Sequence, residues 1–313
     1  MSLRSPRRTL AGLPHFVALA VALLVTTAQD GAAQTVSSLF FDDDYRMDGL
    51  HVAPTGGVYA TSGFLGGDVY RVSGGVVDTV ATGVGGPIHV LATRDGRLLT
   101  TAFREREVSQ IVGDGTLRTF ATVADGPSDL IEGPDGSIYV TQYGDPSGFG
   151  DGDSVTRIHP DGTVEDFAVG GDLRGPVGIA IDDEGYIYVA NIFDGRITKL
   201  GPDGSQTAFA SLPLQPPLGS LTVGHMVWTD GSLYATYLSN HQVVAFATDG
   251  TMRVVAGTGQ PGRDDGPAGQ ATFTNPNGLG VSASGDTLYV SEYLLSDQSV
   301  PVPTDRLRVI HLE

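Results

Sequence analysis

Residues 175–205 read GPVGIAIDDEGYIYVANIFDGRITKLGPDGS, and this stretch contains a pattern that the rest of the chain repeats. Short runs of apolar, aromatic and β-branched residues alternate with turns rich in Gly, Pro and Asp. The pattern predicts four short strands joined by tight turns, forming one antiparallel meander. A single sheet of this kind cannot bury both of its faces, so the unit requires similar units beside it.

The second strand of the unit is the easiest to recognise in the other copies. Its third residue falls at Tyr59, Leu99, Tyr139, Tyr188, Tyr234 and Tyr289. These positions are about 40 to 55 residues apart, which is typical of β-propeller blades. The sixth unit lacks a fourth strand, whereas the strand-like run 36–41 (VSSLFF) has no partner. We therefore predict an all-β, six-bladed β-propeller of four-stranded antiparallel blades, closed by an N-terminal strand that completes the last blade.

Composition and the first residues suggest an exported protein. Residues 1–33 have a positive start, a short apolar run at 16–25 and small residues before Gln34. This is typical of a signal peptide, although a retained membrane anchor is the alternative. We expect residues 34–313 to form the propeller, without a stable membrane span, as a periplasmic or secreted monomer.

The charge and the missing cysteines exclude several functions. The chain has a net charge of −18 and no Cys. A disulfide framework, a thiolate nucleophile and a Cys-ligated metal are therefore excluded. The acidic balance argues against nucleic acid as a partner. We expect neither a nucleotide nor haem, because the glycine run at 257–262 is followed by loop residues rather than by a helix.

Three segments carry a family resemblance: GTGQPG at 257–262, PNGL at 276–279 and PDGSIYV at 134–140. They resemble NHL repeats, and residues 36–313 resemble the six-bladed propellers that include SMP-30/gluconolactonase-like and virginiamycin B lyase-like proteins. In SMP-30-like lactonases, an Asn and an Asp in the Pro-x-Gly slots of consecutive blades hold a divalent cation, with a Glu completing the set. The resemblance implies that Asp48 and Asn277 hold such a cation (Ca, Mg, Mn or Zn). Glu292 is a candidate for the further carboxylate, although it stands at the end of a second strand and does not match the family's Glu.

Polar residues interrupt the glycine and apolar repeat at two positions near the predicted mouth of the propeller, where binding sites are expected. At the starts of the first strands, His89, Asp129 and His225 are candidates for a general base. At or after the ends of the second strands, the candidates for ligand binding are Gln142, Tyr143, Asn191, Tyr237 and Tyr293. Each of these polar residues has a structural alternative, namely capping of the backbone or ordinary packing.

Three functions remain open on these observations. The first is a binding module for a small molecule, peptide or glycan, without chemistry. The second is a divalent-metal-dependent hydrolase or lyase acting on a lactone or cyclic ester. The third is an interaction platform in the cell envelope. The fold does not discriminate between them, because one propeller scaffold serves many functions.

Overall fold

The computed structural model describes residues 34–42, 46–145, 150–215, 221–292 and 305–312. The predicted signal peptide and Tyr293 lie outside these residues. Among the described residues, no helix has the length and apolarity needed to cross a membrane. Within these same described ranges, the regular structure is all β, apart from a three-residue 3₁₀ helix at Leu238–Asn240.

Six antiparallel sheets follow one another along the chain. The first blade contains β2 (Leu50–Val52), β3 (Val58–Thr61), β4 (Val69–Ser73) and β5 (Val76–Ala81). The second contains β6 (Val90–Ala92), β7 (Leu98–Ala102), β8 (Glu107–Val112) and β9 (Thr116–Thr122). The third contains β10 (Gly126–Glu132), β11 (Ile138–Gly144), β12 (Ser154–Ile158) and β13 (Val164–Val169).

The remaining blades repeat this order. The fourth contains β14 (Pro176–Ile181), β15 (Ile187–Asn191), β16 (Arg196–Leu200) and β17 (Gln206–Ser211). The fifth contains β18 (Val223–Thr229), β19 (Ser232–Tyr237), β20 (Gln242–Phe246) and β21 (Met252–Ala256). The sixth contains β1 (Thr35–Asp42), β22 (Gly266–Pro267), β23 (Pro276–Val281), β24 (Thr287–Glu292) and β25 (Asp305–His311).

The N-terminal strand closes the ring, as predicted. Strand β1 pairs antiparallel with β25, with Ser37 opposite Val309. The sheet order is β22-β1-β25-β24-β23, so the first strand of the described chain becomes an outer strand of the last blade. The six-bladed architecture is therefore confirmed, and the short β22 is an addition that the sequence pattern did not predict.

Neighbouring blades pack through buried apolar side chains and through a repeated hydroxyl contact. The hydroxyl stands near the end of a second strand and donates to a backbone carbonyl at the start of the next blade's first strand. The pairs are Thr61 to Ile88, Thr101 to Ser128, Thr141 to Val177, Thr236 to Asn277 and Ser291 to Asp48. The fourth blade has Ala190 at this position. These contacts satisfy buried carbonyl groups at the inner ends of the blades and fix the strand starts where polar residues were predicted to gather.

Candidate functional site

The starts of the first strands form two layers around the propeller axis. The outer layer consists of the first residue in each predicted slot: Asp48, Ile88, Ser128, Val177, Gly224 and Asn277. Every one of these except Gly224 lines a cavity at the predicted mouth. The inner layer consists of the second residue in each slot: Gly49, His89, Asp129, Gly178, His225 and Gly278.

Glycine fills three places of the inner layer because the neighbouring backbone is too close for a side chain. A Cβ at Gly49 would lie 2.2 Å from the Ile88 carbonyl oxygen. A Cβ at Gly178 would lie 2.3 Å from the Gly224 carbonyl oxygen, and one at Gly278 would lie 2.1 Å from that of Asp48. The inner layer therefore holds only three side chains, His89, Asp129 and His225, and all three are buried.

Asp129 occupies the centre of the inner layer, and each of its carboxylate oxygens has two partners. Oδ1 accepts a hydrogen bond from the Leu130 amide at 2.7 Å and lies 3.0 Å from Nδ1 of His89. Oδ2 accepts from the Ile179 amide at 3.1 Å and from Nδ1 of His225 at 2.9 Å. Burial opposes the charge on Asp129, but the two imidazoles hold its pKa below the ordinary value. The carboxylate is therefore ionised and fixed in orientation.

His225 lines the mouth cavity and has a second ring nitrogen without a described partner. Nε2 is buried and has no hydrogen-bond partner among the described residues, and His225 is part of the lining of the mouth cavity. Its ring stacks on that of His89, with centroids 5.1 Å apart. Burial acts to lower the pKa of His225, but the attraction of Asp129 outweighs it and the pKa is raised. A buried imidazole of this kind is tuned for proton transfer.

Asp48 and Asn277 lie together in the outer layer, as the resemblance implied. The Asn277 amide donates a hydrogen bond from Nδ2 to Oδ1 of Asp48. Both residues line the mouth cavity beside His225. Gly224 makes room for this arrangement, since a Cβ there would lie 2.5 Å from Oδ1 of Asn277.

The mouth cavity has a volume of about 420 Å³ and a largely apolar wall. Besides the outer-layer residues and His225, its lining consists of Phe64, Leu65, Tyr143, Ile192, Phe193 and Leu221. Of the predicted ligand-binding residues that the structure describes, Tyr143 alone lines the cavity, and burial raises its pKa to about 12. The residues of the two layers form the floor of the cavity and include its charged and amide side chains, whereas the remaining lining residues form an apolar and aromatic wall, an arrangement common in small-molecule sites.

A second cavity of about 510 Å³ opens at the other ends of the first strands. His89 and Asp129 line this opposite cavity, together with His51 and Trp228, whereas His225 lines the mouth cavity. The inner layer therefore lies between the two cavities.

Three residues at the ends of second strands hold loops of their own blades. Gln142 accepts a hydrogen bond from the Asp125 amide, and Asn191 accepts from the Arg174 amide at 3.0 Å. Glu292 accepts from the Thr274 amide at 2.6 Å. None of the three lines the mouth cavity. Ligand binding by Gln142 and Asn191 stays a prediction, and the structure gives both a role in fixing the loop that enters the blade.

Glu292 also contacts a buried arginine. Its Oε1 lies 3.5 Å from Nη1 of Arg308, whose side chain is fully buried. Burial raises the pKa of Glu292, although Arg308 opposes the shift. The described contacts of Glu292 are thus with elements of its own blade. No described contact supports metal ligation by Glu292 beside Asp48 and Asn277, which stays a prediction.

Tyr237 is buried away from the mouth cavity's lining. Its hydroxyl donates to the Pro213 carbonyl and accepts from Nε2 of Gln215 at 3.0 Å. Tyr293, the last predicted ligand-binding residue, lies outside the described residues.

The three inner-layer side chains also form a possible metal-binding group, because one ligand atom from each lies within 4.8 Å of the others. The geometry suits hydrogen bonding equally well, since the Asp129 oxygens already meet two amides and two imidazoles. Asp48 and Asn277 offer a second donor set of oxygen atoms, the type that Mg²⁺, Ca²⁺ and Mn²⁺ prefer.

The fold and the site define a six-bladed propeller with an apolar mouth cavity above a buried His–Asp–His layer. The chain belongs to the virginiamycin B lyase family, whose family model matches residues 76–275. It is 29% identical over 213 residues to the virginiamycin B lyase of Nocardia farcinica. The match covers 67% of this chain and 70% of that relative.

Solved structures share the fold at low sequence identity. A gluconolactonase from Xanthomonas campestris superimposes with a TM-score of 0.67 at 19% identity, covering 90% of each chain. A catalytically inactive virginiamycin B lyase from Staphylococcus aureus, solved with quinupristin, superimposes with a TM-score of 0.60 at 15% identity, covering 90% of this chain and all of the other. At these identities the likeness establishes the architecture alone.

Proposed function

We propose that this protein opens a cyclic ester by elimination, with His225 as the general base and Asp129 as the residue that orients it. The observation that carries the proposal is the state of the His225 ring. Nδ1 contacts the Asp129 carboxylate at 2.9 Å, the buried Nε2 has no partner among the described residues, and His225 lines the mouth cavity. Membership of the virginiamycin B lyase family supports a lyase reaction.

The hydrogen bond to Asp129 determines what Nε2 can do. A carboxylate only accepts, so Nδ1 of His225 carries the proton and Nε2 carries a lone pair. This lone pair can remove a proton from the carbon next to the one that bears the ester oxygen. The carbon–oxygen bond then breaks, a double bond forms between the two carbons, and the carboxylate leaves. The proton remains on Nε2 until it passes to solvent.

Asp48 and Asn277 would hold a divalent cation at the floor of the same cavity. Their side-chain oxygens fit Mg²⁺, Ca²⁺ or Mn²⁺, and the two side chains already meet through a hydrogen bond. A bound cation would polarise the ester carbonyl. The acid–base work of His225 and Asp129 is separate from this contribution.

The apolar wall of the mouth would bind the body of the substrate. Phe64, Tyr143 and Phe193 all contribute to it. Apolar surface gives affinity, and the polar floor gives orientation, so the ester group would face His225.

The test uses virginiamycin B and gluconolactone as substrates, with Mg²⁺ present, and mass spectrometry of the products. Elimination leaves the mass of the ring-opened product unchanged, whereas hydrolysis adds one water. We expect virginiamycin B to be opened without a change in mass. His225→Gln should lower kcat about 10²–10⁴-fold, and His159→Gln, at the turn between β12 and β13, should leave it unchanged. Full activity of His225→Gln would refute the assignment of the base.

A binding function without chemistry is the second candidate, and the apolar wall of the mouth favours it. If the wild-type protein binds quinupristin at the mouth but opens neither substrate with any divalent cation, the protein is a binding module. Loss of binding on Phe193→Ala would then place the ligand in this cavity.

A further inference from the structure

We infer that His89 is a positioning residue, which holds Asp129 from the side opposite His225 and thereby keeps His225 in its Nδ1-protonated form. The effect on turnover rests on the proposed function. The effect on the His225 ring does not, because it can be measured without any substrate.

His89 is fixed at both its backbone and its ring. Its amide donates to Oγ1 of Thr101 at 2.9 Å, and its carbonyl accepts from Oγ1 of Thr100 at 2.9 Å. Nε2 lies 3.1 Å from the Leu50 carbonyl oxygen, and since a carbonyl only accepts, Nε2 carries a proton and donates it. The side chain is buried, so these contacts leave it little freedom.

The other nitrogen of His89 faces the carboxylate. Nδ1 lies 3.0 Å from Oδ1 of Asp129, an ion-pair distance without the alignment of a hydrogen bond. Because a lone pair on Nδ1 would repel the carboxylate, this contact holds Asp129 when Nδ1 carries a proton as Nε2 does. His225 meets Oδ2 of the same group. The carboxylate therefore sits between two imidazoles, and rotation about its Cβ–Cγ bond would break contacts on both sides.

Charge supports the same role. Burial opposes the charge on Asp129, and the attraction of His89 and His225 together holds its pKa below the ordinary value. His89 thus helps to keep the carboxylate ionised. An ionised, fixed carboxylate is what selects the tautomer of a hydrogen-bonded histidine.

His51 provides a matched control. It lines the opposite cavity with His89, and it has no hydrogen bond or ion pair with Asp129 among the described contacts. Burial and the nearby His89 lower the pKa of His51 to about 4, so its ring is neutral at neutral pH. A change at His51 alters the same cavity without removing a contact to the carboxylate.

The experiment measures the tautomer of His225 by ¹⁵N NMR in protein labelled at histidine, at a pH above the midpoint of the His225 titration, where the ring is neutral. In the wild type and in His51→Gln, we expect the proton on Nδ1. In His89→Gln, we expect a mixture of the two tautomers. An unchanged His225 spectrum in a folded His89→Gln variant would overturn the inference, whatever the protein's activity.

Turnover gives the second readout. His89→Gln should lower kcat about 10–100-fold with little change in KM, and His51→Gln should leave both unchanged. If His89→Gln does not fold, His89→Gly replaces it, because glycine is the inner-layer residue of three other blades. Added imidazole can enter from the opposite cavity, and it should restore the Nδ1 tautomer in His89→Gly. An unchanged His225 tautomer in His89→Gly, or a changed tautomer that added imidazole does not restore, would refute the positioning role. An inactive wild-type protein with the expected tautomers would refute only the proposed function.

Discussion

His225 and Asp129 meet across the propeller although a whole blade separates them in the ring. His225 belongs to the fifth blade and Asp129 to the third, yet Nδ1 and Oδ2 are 2.9 Å apart. The intervening fourth blade contributes Gly178 to the layer, and the next amide, that of Ile179, donates to Asp129 at 3.1 Å. The fourth blade thus supplies a hydrogen bond and no side chain.

Gly178→Ala should therefore lower the stability of the fold at the site. Its Cβ would lie 2.3 Å from the Gly224 carbonyl oxygen and 3.1 Å from Cα of His225, both backbone atoms that cannot move cheaply. We expect a loss of about 1–3 kcal/mol in the free energy of unfolding. Denaturant titration measures it, with Gly269→Ala as the control, because a Cβ at Gly269 would meet nothing within 4 Å. Equal stability of the two variants would contradict the close approach.

The activity should depend on pH through His225. Catalysis requires the neutral ring, and although burial acts to lower its pKa, Asp129 raises it above the ordinary value of about 6.5. kcat should therefore rise with pH, with a midpoint above about 6.5. Asp129→Asn removes the attraction and leaves burial, so the midpoint should move to lower pH. A pH–rate profile checks both, and a midpoint that does not move would exclude His225 as the titrating base.

The free energy of unfolding should also depend on pH through His225. Because the pKa of His225 is higher in the folded state, its charged form stabilises the fold below the unfolded-state pKa of about 6.5. This contribution is lost as pH rises through the folded-state pKa. The difference in free energy of unfolding between the wild type and His225→Gln should thus shrink from pH 6 to more alkaline pH. Denaturant titrations across this range measure it, and a constant difference would contradict the raised pKa.

Cation binding should depend on Asp48 and not on Glu292. Calorimetric titration with Mg²⁺, Ca²⁺ and Mn²⁺ should show binding to the wild type, and Asp48→Asn should weaken it more than about tenfold. Glu292→Gln should bind the cation normally but lose about 1–3 kcal/mol of stability, because Arg308 loses a buried charged partner. No binding of any of these cations by the wild type would rule out the metal site. Weakened binding in Glu292→Gln would restore Glu292 as a ligand.

The hydroxyl contacts between blades should be measurable one at a time. Thr141→Val keeps the shape of the side chain but leaves the Val177 carbonyl without the hydrogen bond that it accepts at 2.8 Å, and the Asp129 amide without the acceptor that it meets at 2.9 Å. We expect a loss of about 1–3 kcal/mol in the free energy of unfolding. Thr55→Val, at an exposed turn, is the matched control and should change it by less than about 0.5 kcal/mol. Equal effects of the two substitutions would show that the hydroxyl contact contributes nothing.

Part of the site could be predicted because the repeat places equivalent residues at equivalent positions. His89, Asp129 and His225 occupy the same slot in three blades, so the ring geometry brings them to one level. The hydroxyls of Thr61, Thr101 and Thr141 each stand two residues after the third residue of the predicted second strand. This regularity is visible in the sequence, but only the tertiary structure shows the carbonyl groups to which the hydroxyls donate.

The roles of individual polar residues could not be predicted in the same way. Gln142, Asn191 and Glu292 end second strands near the mouth, yet their side chains turn to backbone amides of the incoming loops. Whether a polar side chain faces a cavity or caps a loop depends on rotamers and on atoms that are distant in sequence, and the residue type is compatible with both.

The sequence by itself determined the blade, the number of blades and the closure of the ring, because turn residues and alternating apolar positions act locally and recur at a regular spacing. Only the tertiary structure decided that the three inner-layer side chains meet between two cavities, with His225 hydrogen-bonded to Asp129 and His89 at ion-pair distance from it. That arrangement depends on contacts between blades. Gly178 of the fourth blade leaves the space in which His225 of the fifth blade reaches the Asp129 carboxylate of the third.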